Sequence, residues 1–323
     1  MYDAQEAEVV LKVKQPKTAL MIMGMIDNED LEWAIENSIS FWVFELDRLE
    51  HTILSAKKVK KPAKIHIELE TGMNRTGFEM DELDKVVELI KKNREHFHIE
   101  GICTHYAGAE SVANYRRIHQ QIFTFNKISE FLAPKVQPKS YHTACSAAAL
   151  TYPQTIMDMV RFGISQYGFW ASKETRMYNL LADDTTFTHD PLHRVLTWKS
   201  RIMDVKHVKT GEFISYGNSY LADRDMKIAS IPVGYSHGYS RKLSNRGHVL
   251  IHKKKAPVIG LVNMNLFLVD VTHIHAHKGD EVVLIGKQGR QQISVSWFSD
   301  LSTDVNYELL TRLSIDIPRV VVD

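Results

Sequence analysis

The sequence predicts an α/β domain built on a parallel sheet, followed by an all-β domain, and three observations lead there. From Ala19 to about Gly168, short apolar runs alternate with amphipathic stretches, the rhythm of parallel α/β folds. Between Ala171 and His193 that rhythm lapses into a polar, irregular passage. Beyond it, alternating strand patterns are separated by glycine turns, as in an antiparallel sheet. The expected domains are therefore residues 1–190 and 191–323.

Six strands are expected in the first domain: ALMIMGM (19–25), FWVFE (41–45), KIHIELE (64–70), IEGICTHY (99–106), SYHTA (140–144) and MVRFGIS (159–165). Most are apolar enough for strands buried on both faces, in a parallel barrel or a doubly wound sheet. Between them, Leu83, Val86, Val87 and Ile90 recur at helical spacing, as do Ile118, Ile122, Phe125 and Ile128. These stripes are expected to pack helices onto the sheet. In the second domain WKSRIMDVKHV, KIASIPVG, HVLIHK, APVIGLVNM, FLVDVTHI and EVVLIG read as antiparallel strands.

Composition narrows the function. The 323 residues carry 40 basic and 39 acidic side chains, so no strong field draws the chain to nucleic acid or an anionic membrane. Small molecules are the natural partners. The two cysteines, Cys103 and Cys145, suggest neither a disulfide framework nor a zinc site. The start, MYDAQEAEVVLKVKQ, is charged throughout, unlike a signal peptide, and no apolar run has the roughly 20 residues a membrane helix needs. A cytoplasmic location is expected.

Three stretches carry candidate chemistry in the first domain. ETGMNRTGF (70–78) places Thr71, Gly72 and Arg75 after a strand, at the end where barrel enzymes keep their sites. The planar guanidinium of Arg75 suits a carboxylate or a phenolate. YHTACSAA (141–148) and MVRFGISQYG (159–168) end the last two strands, where such barrels bind phosphate, and they offer Ser146 and the amides near Gly163. Arg161 would point into the barrel mouth and needs an acceptor there.

Taken in order, TGMNR, THYAGAES, HTACSAA, VRFGISQYG, ISYGNSY, IPVGYSHGYSR, PVIGLVNMN, GDEVVLIG, NYELL and IPR resemble the alanine racemase family over nearly the whole chain. The resemblance implies a (β/α)8-type barrel, here incomplete, joined to a β domain. It also implies a homodimer in which one chain's barrel and its partner's β domain share each active site. The implied activity is interconversion of L- and D-alanine, for peptidoglycan, by two-base proton transfer on the adduct of the amino acid with pyridoxal 5'-phosphate.

On the same resemblance, Tyr216 is the catalytic tyrosine, with His105 and Arg241 grouped around it; a cation there would lower the phenol pKa. Arg161 faces the cofactor's ring nitrogen, and Ser146, Gly163, Ile164 and Tyr307 bind its phosphate. Arg75 and Met264 contact the substrate carboxylate, and His142 braces Arg161. Because arginine does not give up its proton, the pyridine stays unprotonated and side reactions are suppressed.

Several positions depart from the family pattern. Glu68 stands where many members carry a carbamylated lysine, and it can offer a carboxylate to Arg75. Asn263 and Asn265 flank Met264 in place of cysteine and aspartate, Cys145 replaces an asparagine, and His237 replaces an aspartate. The Lys-Ala-Asn-Ala-Tyr-Gly segment with the Schiff-base lysine has no counterpart, nor has the second barrel strand. This reading expects six barrel strands, a late start or split gene, and no activity of the chain alone. Lys12, Lys14 and Lys17 are expected at the surface, not as substitutes. HIHAH aligns His273, His275 and His277 on one face of a possible strand, but no metal is expected. The alternatives are a non-catalytic relic or partner-binding protein, and a racemase for another amino acid such as serine or lysine.

Overall fold

The computed structural model describes residues 1–182, 190–302 and 306–322. The chain divides into two compact units: Met1–Gly163 with the described part of Glu174–Thr185, and Ile164–Lys173 with the described residues from Asp190 onward.

The first unit alternates strand and helix. Helix α1 (Ala4–Val13) is capped by Asp3, whose carboxylate accepts from the Glu6 amide at 2.8 Å. There follow β1 (Met21–Ile22), α2 (Leu31–Glu36), β2 (Ser40–Val43), α3 (Leu46–Val59), β3 (Ala63–Glu68), α4 (Leu83–Lys92), β4 (Phe97–Cys103), α5 (Tyr115–Val136), β5 (Tyr141–His142) and α6 (Ser146–Thr151). The strands lie in sequence order, every neighbouring pair parallel. This is the sheet of a barrel-type fold with one helix per crossover. Of the predicted stripes, Leu83, Val86, Val87 and Ile90 of α4 and Ile118, Phe125 and Ile128 of α5 are buried, and Ile122 is half-buried.

Three expected strands are reduced: 19–25 and 140–144 keep two residues each, Met21–Ile22 and Tyr141–His142, and the last keeps one bridge. Residues 159–165 make a single parallel bridge, Cys145 to Arg161, supported by the Arg161 amide donating to the Ala144 carbonyl at 2.9 Å. Met159 and Val160 are only partly buried, so this segment lacks the two covered faces that hold a central parallel strand in place.

Side-chain alternation along β3 sorts the sheet's two faces. Ile65 and Ile67 join the apolar core, while His66 and Glu68 project to the opposite side. The pairing of β3 with β4 shifts at Glu100: Ile65 faces Ile99, but His66 faces Gly101 and Glu68 faces Cys103. One extra residue in β4 therefore brings a residue without a side chain opposite His66.

In the second unit β6 (Trp198–Arg201), β7 (Asp204–Val208), β8 (Met226–Ile231), β9 (His248–Ile251), β10 (Lys254–Ile259), β11 (Phe267–Asp270), β12 (Glu281–Gln288) and β13 (Gln291–Ile293) form an antiparallel sheet. Helices α8 (Val295–Ser302) and α9 (Asn306–Thr311) follow. The passage expected to be irregular instead carries helix α7 (Lys173–Ala182), whose amphipathic pattern is too short to stand out among polar residues. Among the described residues no helix is long and apolar enough to cross a membrane.

Candidate active site

The ends of β3, β4 and β5 build a polar centre around Arg161. Its Nη1 donates to His142 Nδ1 and to the His142 carbonyl, both at 2.7 Å. Its Nη2 donates to the carbonyls of Thr104 at 2.7 Å and Thr143 at 2.9 Å. The acceptor required by the sequence is thus supplied fourfold. Of the five guanidinium N–H groups, the one on Nε has no acceptor among the described residues and is left for a further one.

These contacts fix proton positions. Arginine only donates, so His142 Nδ1 must be a lone pair and its Nε2 must carry the proton. That proton points to His66 Nδ1, 2.9 Å away, which must then accept. Burial, with the charge of Arg161, pushes His142 down to about 2; burial likewise lowers His66 to about 4. Both rings are neutral at neutral pH. The arginine also lies over the Trp42 ring at 5.2 Å.

Glu68 and His105 stand beside this centre. Glu68 is buried, and burial raises its pKa, while a hydrogen bond from Thr76 and the charges of Arg75 and Arg161 pull it back. His105 is half-buried and is lowered to about 4, first by burial and then by Arg161 and Arg75. Arg75 is exposed on a loop held by Glu70, whose carboxylate accepts from the amides of Gly72, Asn74 and Arg75. Gln121 ties the strand ends together, donating to Thr71 Oγ1 at 3.1 Å and to the His105 carbonyl at 3.0 Å.

At the start of α6, Ser146 Oγ accepts from the Gly163 amide at 2.9 Å. A Cβ built on Gly163 would meet nothing within 4 Å, so this backbone faces open space. Ile164 itself is buried and opens a short 3-10 turn, Ile164–Tyr167. Tyr307 lies on α9 in the second unit. The Ser146 hydroxyl, whose own proton stays free while it accepts from the Gly163 amide, lies beside open space and fits an anionic phosphate, and the spare Arg161 donor fits a neutral ring nitrogen. The residues present thus fit the phosphate and ring ends of pyridoxal phosphate.

In the second unit Tyr216, Arg241 and Met264 gather on one turn, residues 260–265. Tyr216 sits 71% exposed at the tip of a loop closed by the Phe213–Leu221 bridge, flanked by Ser215 and Gly217 with positive φ. Ser215 Oγ donates to the Leu261 carbonyl at 3.2 Å, and Arg241 Nη1 reaches the Val262 carbonyl at 3.4 Å. Ser236 Oγ donates to the Met264 carbonyl at 2.7 Å. Asn263 Nδ2 approaches Ser215 Oγ at 3.5 Å, and Asn265 Oδ1 also lies 2.7 Å from Ser236 Oγ, competing with the Met264 carbonyl for its one proton. His237 accepts from the Gly234 amide at 3.2 Å.

Lys12 and Lys17 are exposed, with Lys12 paired to Glu8 at 3.0 Å; Lys14 is half-exposed. His273, His275 and His277 are exposed in turns beside buried Ile274 and Ala276, not on a strand. Among the described residues no cluster of three or more ligating side chains is placed to hold a metal. Sequence reasoning missed His66, Trp42 and Gln121. The alternation of His66 and Glu68 with isoleucines was the available signal for the first; Gln121, inside an apolar stripe, gave none.

Two profiles cover the chain: "Alanine racemase, N-terminal domain" over residues 2–170 and "Alanine racemase, C-terminal domain" over 195–321. An alanine racemase of Leptospira interrogans is 34% identical over 321 residues, covering 98% of this chain and 80% of its own. One from Carboxydothermus hydrogenoformans is 38% identical, covering 82% and 69%. Among solved structures, the Bacillus anthracis alanine racemase with bound L-Ala-P is 29% identical with a TM-score of 0.86, covering 99% of this chain and 80% of its own. The Streptomyces lavendulae alanine racemase is 26% identical with a TM-score of 0.90, covering 99% and 82%.

Proposed function

The chain belongs to the alanine racemase family, and from that premise we propose that its site is that of a racemase interconverting L- and D-alanine with pyridoxal phosphate by two-base proton transfer, with Tyr216 serving one face of the substrate α-carbon, and that this chain alone is inactive because the Schiff-base lysine segment has no counterpart in it. The observation that carries this reading is Arg161, a fixed cation with four hydrogen bonds and one spare donor. Arg161 Nε–H would hold the ring nitrogen, while Ser146, Gly163, Ile164 and Tyr307 would hold the phosphate. When bound, the cofactor supplies an electron sink, kept weak by an unprotonated ring.

The remaining roles fall to side chains. Tyr216 takes or returns the α-proton on one face, its exposure leaving it free to meet a substrate. In the proposed homodimer, His105 and Arg75 come from one barrel and Tyr216, Arg241 and Met264 from the partner's β domain. His105, neutral at working pH, accepts a hydrogen bond from the tyrosine, and Arg241 stabilises its phenolate. Arg75 and Met264 seat the substrate carboxylate, with Glu68 holding the charge near Arg75 in check. The D-alanine would serve peptidoglycan synthesis in the cytoplasm.

The test incubates the purified full chain with pyridoxal phosphate and L-alanine and measures D-alanine by chiral chromatography. Borohydride reduction and peptide mapping then locate any lysine joined to the cofactor. Cofactor bound at Arg161 with no labelled lysine and no D-alanine from this chain alone supports the reading; a single labelled lysine with D-alanine formation overturns the inactivity of the chain alone. Labelling without D-alanine, but with racemisation of another member of an amino-acid panel, favours a different substrate, as Asn263 and Asn265 beside Met264 permit. No cofactor binding at Arg161 counts against both.

A further inference from the structure

Trp42 sits in the apolar strand β2, yet it does not join the apolar core. Its neighbours Phe41 and Val43 do, so alternation turns Trp42 to the opposite face of the sheet, where its parallel partner on β3 is His66. There the Arg161 guanidinium lies over its ring, with Cζ 5.2 Å from the centroid, inside the limit of about 6 Å for a cation–π contact. The same ring stands 6.0 Å from the His142 ring, tilted by 41°. Trp42, only 4% exposed, thus backs both members of the Arg161–His142 pair.

Two features give this packing a function. First, the charge of Arg161 meets only neutral acceptors: its four hydrogen bonds go to three carbonyls and one imidazole, and no carboxylate among the described residues accepts from it. A buried cation so placed has no counter-charge in contact, and an electron-rich ring face supplies part of what is lacking. Second, all four acceptors come from the ends of β4 and β5, and none from β1, β2 or β3. The hydrogen bonds draw the guanidinium to one flank of the sheet, and Trp42, on β2, braces it from the other. The indole N–H is sealed from water and has no partner among the described residues. An aliphatic side chain would avoid that cost, so the position uses the ring face and not the N–H.

We infer that Trp42 is a positioning residue for the cofactor: its ring holds the Arg161 guanidinium so that the one uncommitted N–H, on Nε, meets the ring nitrogen. This rests on the reading that Arg161 faces that nitrogen. It gives a role to a side chain that none of the sequence motifs contains.

The experiment measures, by equilibrium dialysis against the full chain, the affinity for pyridoxine 5'-phosphate and for its 1-deaza analogue. The alcohol replaces the aldehyde so that surface lysines cannot capture the probe, and the analogue carries C–H in place of the ring nitrogen. The wild-type chain should bind pyridoxine phosphate at least tenfold more tightly than the analogue. Trp42→Phe, which keeps an aromatic face, should hold that preference to within threefold. Trp42→Leu should lower the preference to less than threefold, weakening pyridoxine phosphate at least fivefold and leaving the analogue nearly unchanged; Trp42→Met takes its place if Trp42→Leu shows no thermal transition. A merely structural residue would weaken both probes together. An undiminished preference in the aliphatic variant, or a loss in Trp42→Phe as large as in that variant, overturns the inference and leaves the role of Arg161 standing. Equal binding of both probes by the wild-type chain, or binding of neither, overturns the role of Arg161 at the ring nitrogen and the inference with it.

Discussion

The Nε2 of His142 stands 2.9 Å from the Nδ1 of His66, with strand β4 and its Gly101 lying between the two strands that carry them. The contact exists because β4 bulges at Glu100 and offers no side chain opposite His66. Two neutral imidazoles and one arginine thus form a single line of defined donors and acceptors.

That line makes stability depend on pH. The folded-state values of His66 and His142 are about 4 and about 2, against about 6.5 in an unfolded chain. Between these limits the unfolded chain binds more protons, so stability falls as pH drops. Denaturant titrations should show a plateau above pH 7 and a decline from about pH 6.5 to 4. His66 alone accounts for on the order of 3 kcal/mol of that decline. His66→Gln should flatten the curve by that share; an unchanged slope would refute the assignment.

Gly101→Ala should break the line sterically. Its Cβ would lie 2.7 Å from His66 Nδ1 and 3.2 Å from His142 Cδ2. A loss of about 1–3 kcal/mol is expected from overpacking, together with weaker cofactor binding in absorbance titrations. Gly163→Ala, which meets open space, should leave the thermal midpoint unchanged and affect only cofactor affinity.

Arg161→Lys retains charge but offers three donors in place of a planar fork. With four acceptors around the present guanidinium, three carbonyls and His142 Nδ1, at least one acceptor loses its partner. Thermal denaturation should report a loss of about 2 kcal/mol or more, and the variant should bind cofactor poorly.

Tyr216→Phe removes one hydroxyl from a side chain 71% exposed. The fold should be untouched, and in a chain supplied with the Schiff-base lysine segment kcat for alanine racemisation should fall by about 10²–10⁴, the usual contribution of a positioned acid or base. Wild-type turnover by the variant would remove Tyr216 from the mechanism.

Much of this organisation was legible in the sequence because periodicity reports burial. The stripes of α4 and α5, the strand at 64–70 and the antiparallel second unit follow directly from it. The weak strand at 159–165 did not, since an apolar run cannot announce that its far face lacks a neighbour. Arg161 was readable as a buried cation in need of acceptors, yet three of those acceptors are main-chain carbonyls, which leave no residue signature. The His66 contact depended on a one-residue bulge, a register event that side-chain patterns do not record.

Those three carbonyls carry a consequence for how the centre tolerates change. Substituting Thr104 or Thr143 alters a side chain but leaves its carbonyl in place, so neighbouring positions can drift while the cation keeps its location. Its coordinates are inherited through strand geometry more than through residue identity. Insertions that slip the strand ends should disturb it more than most point substitutions along the wall.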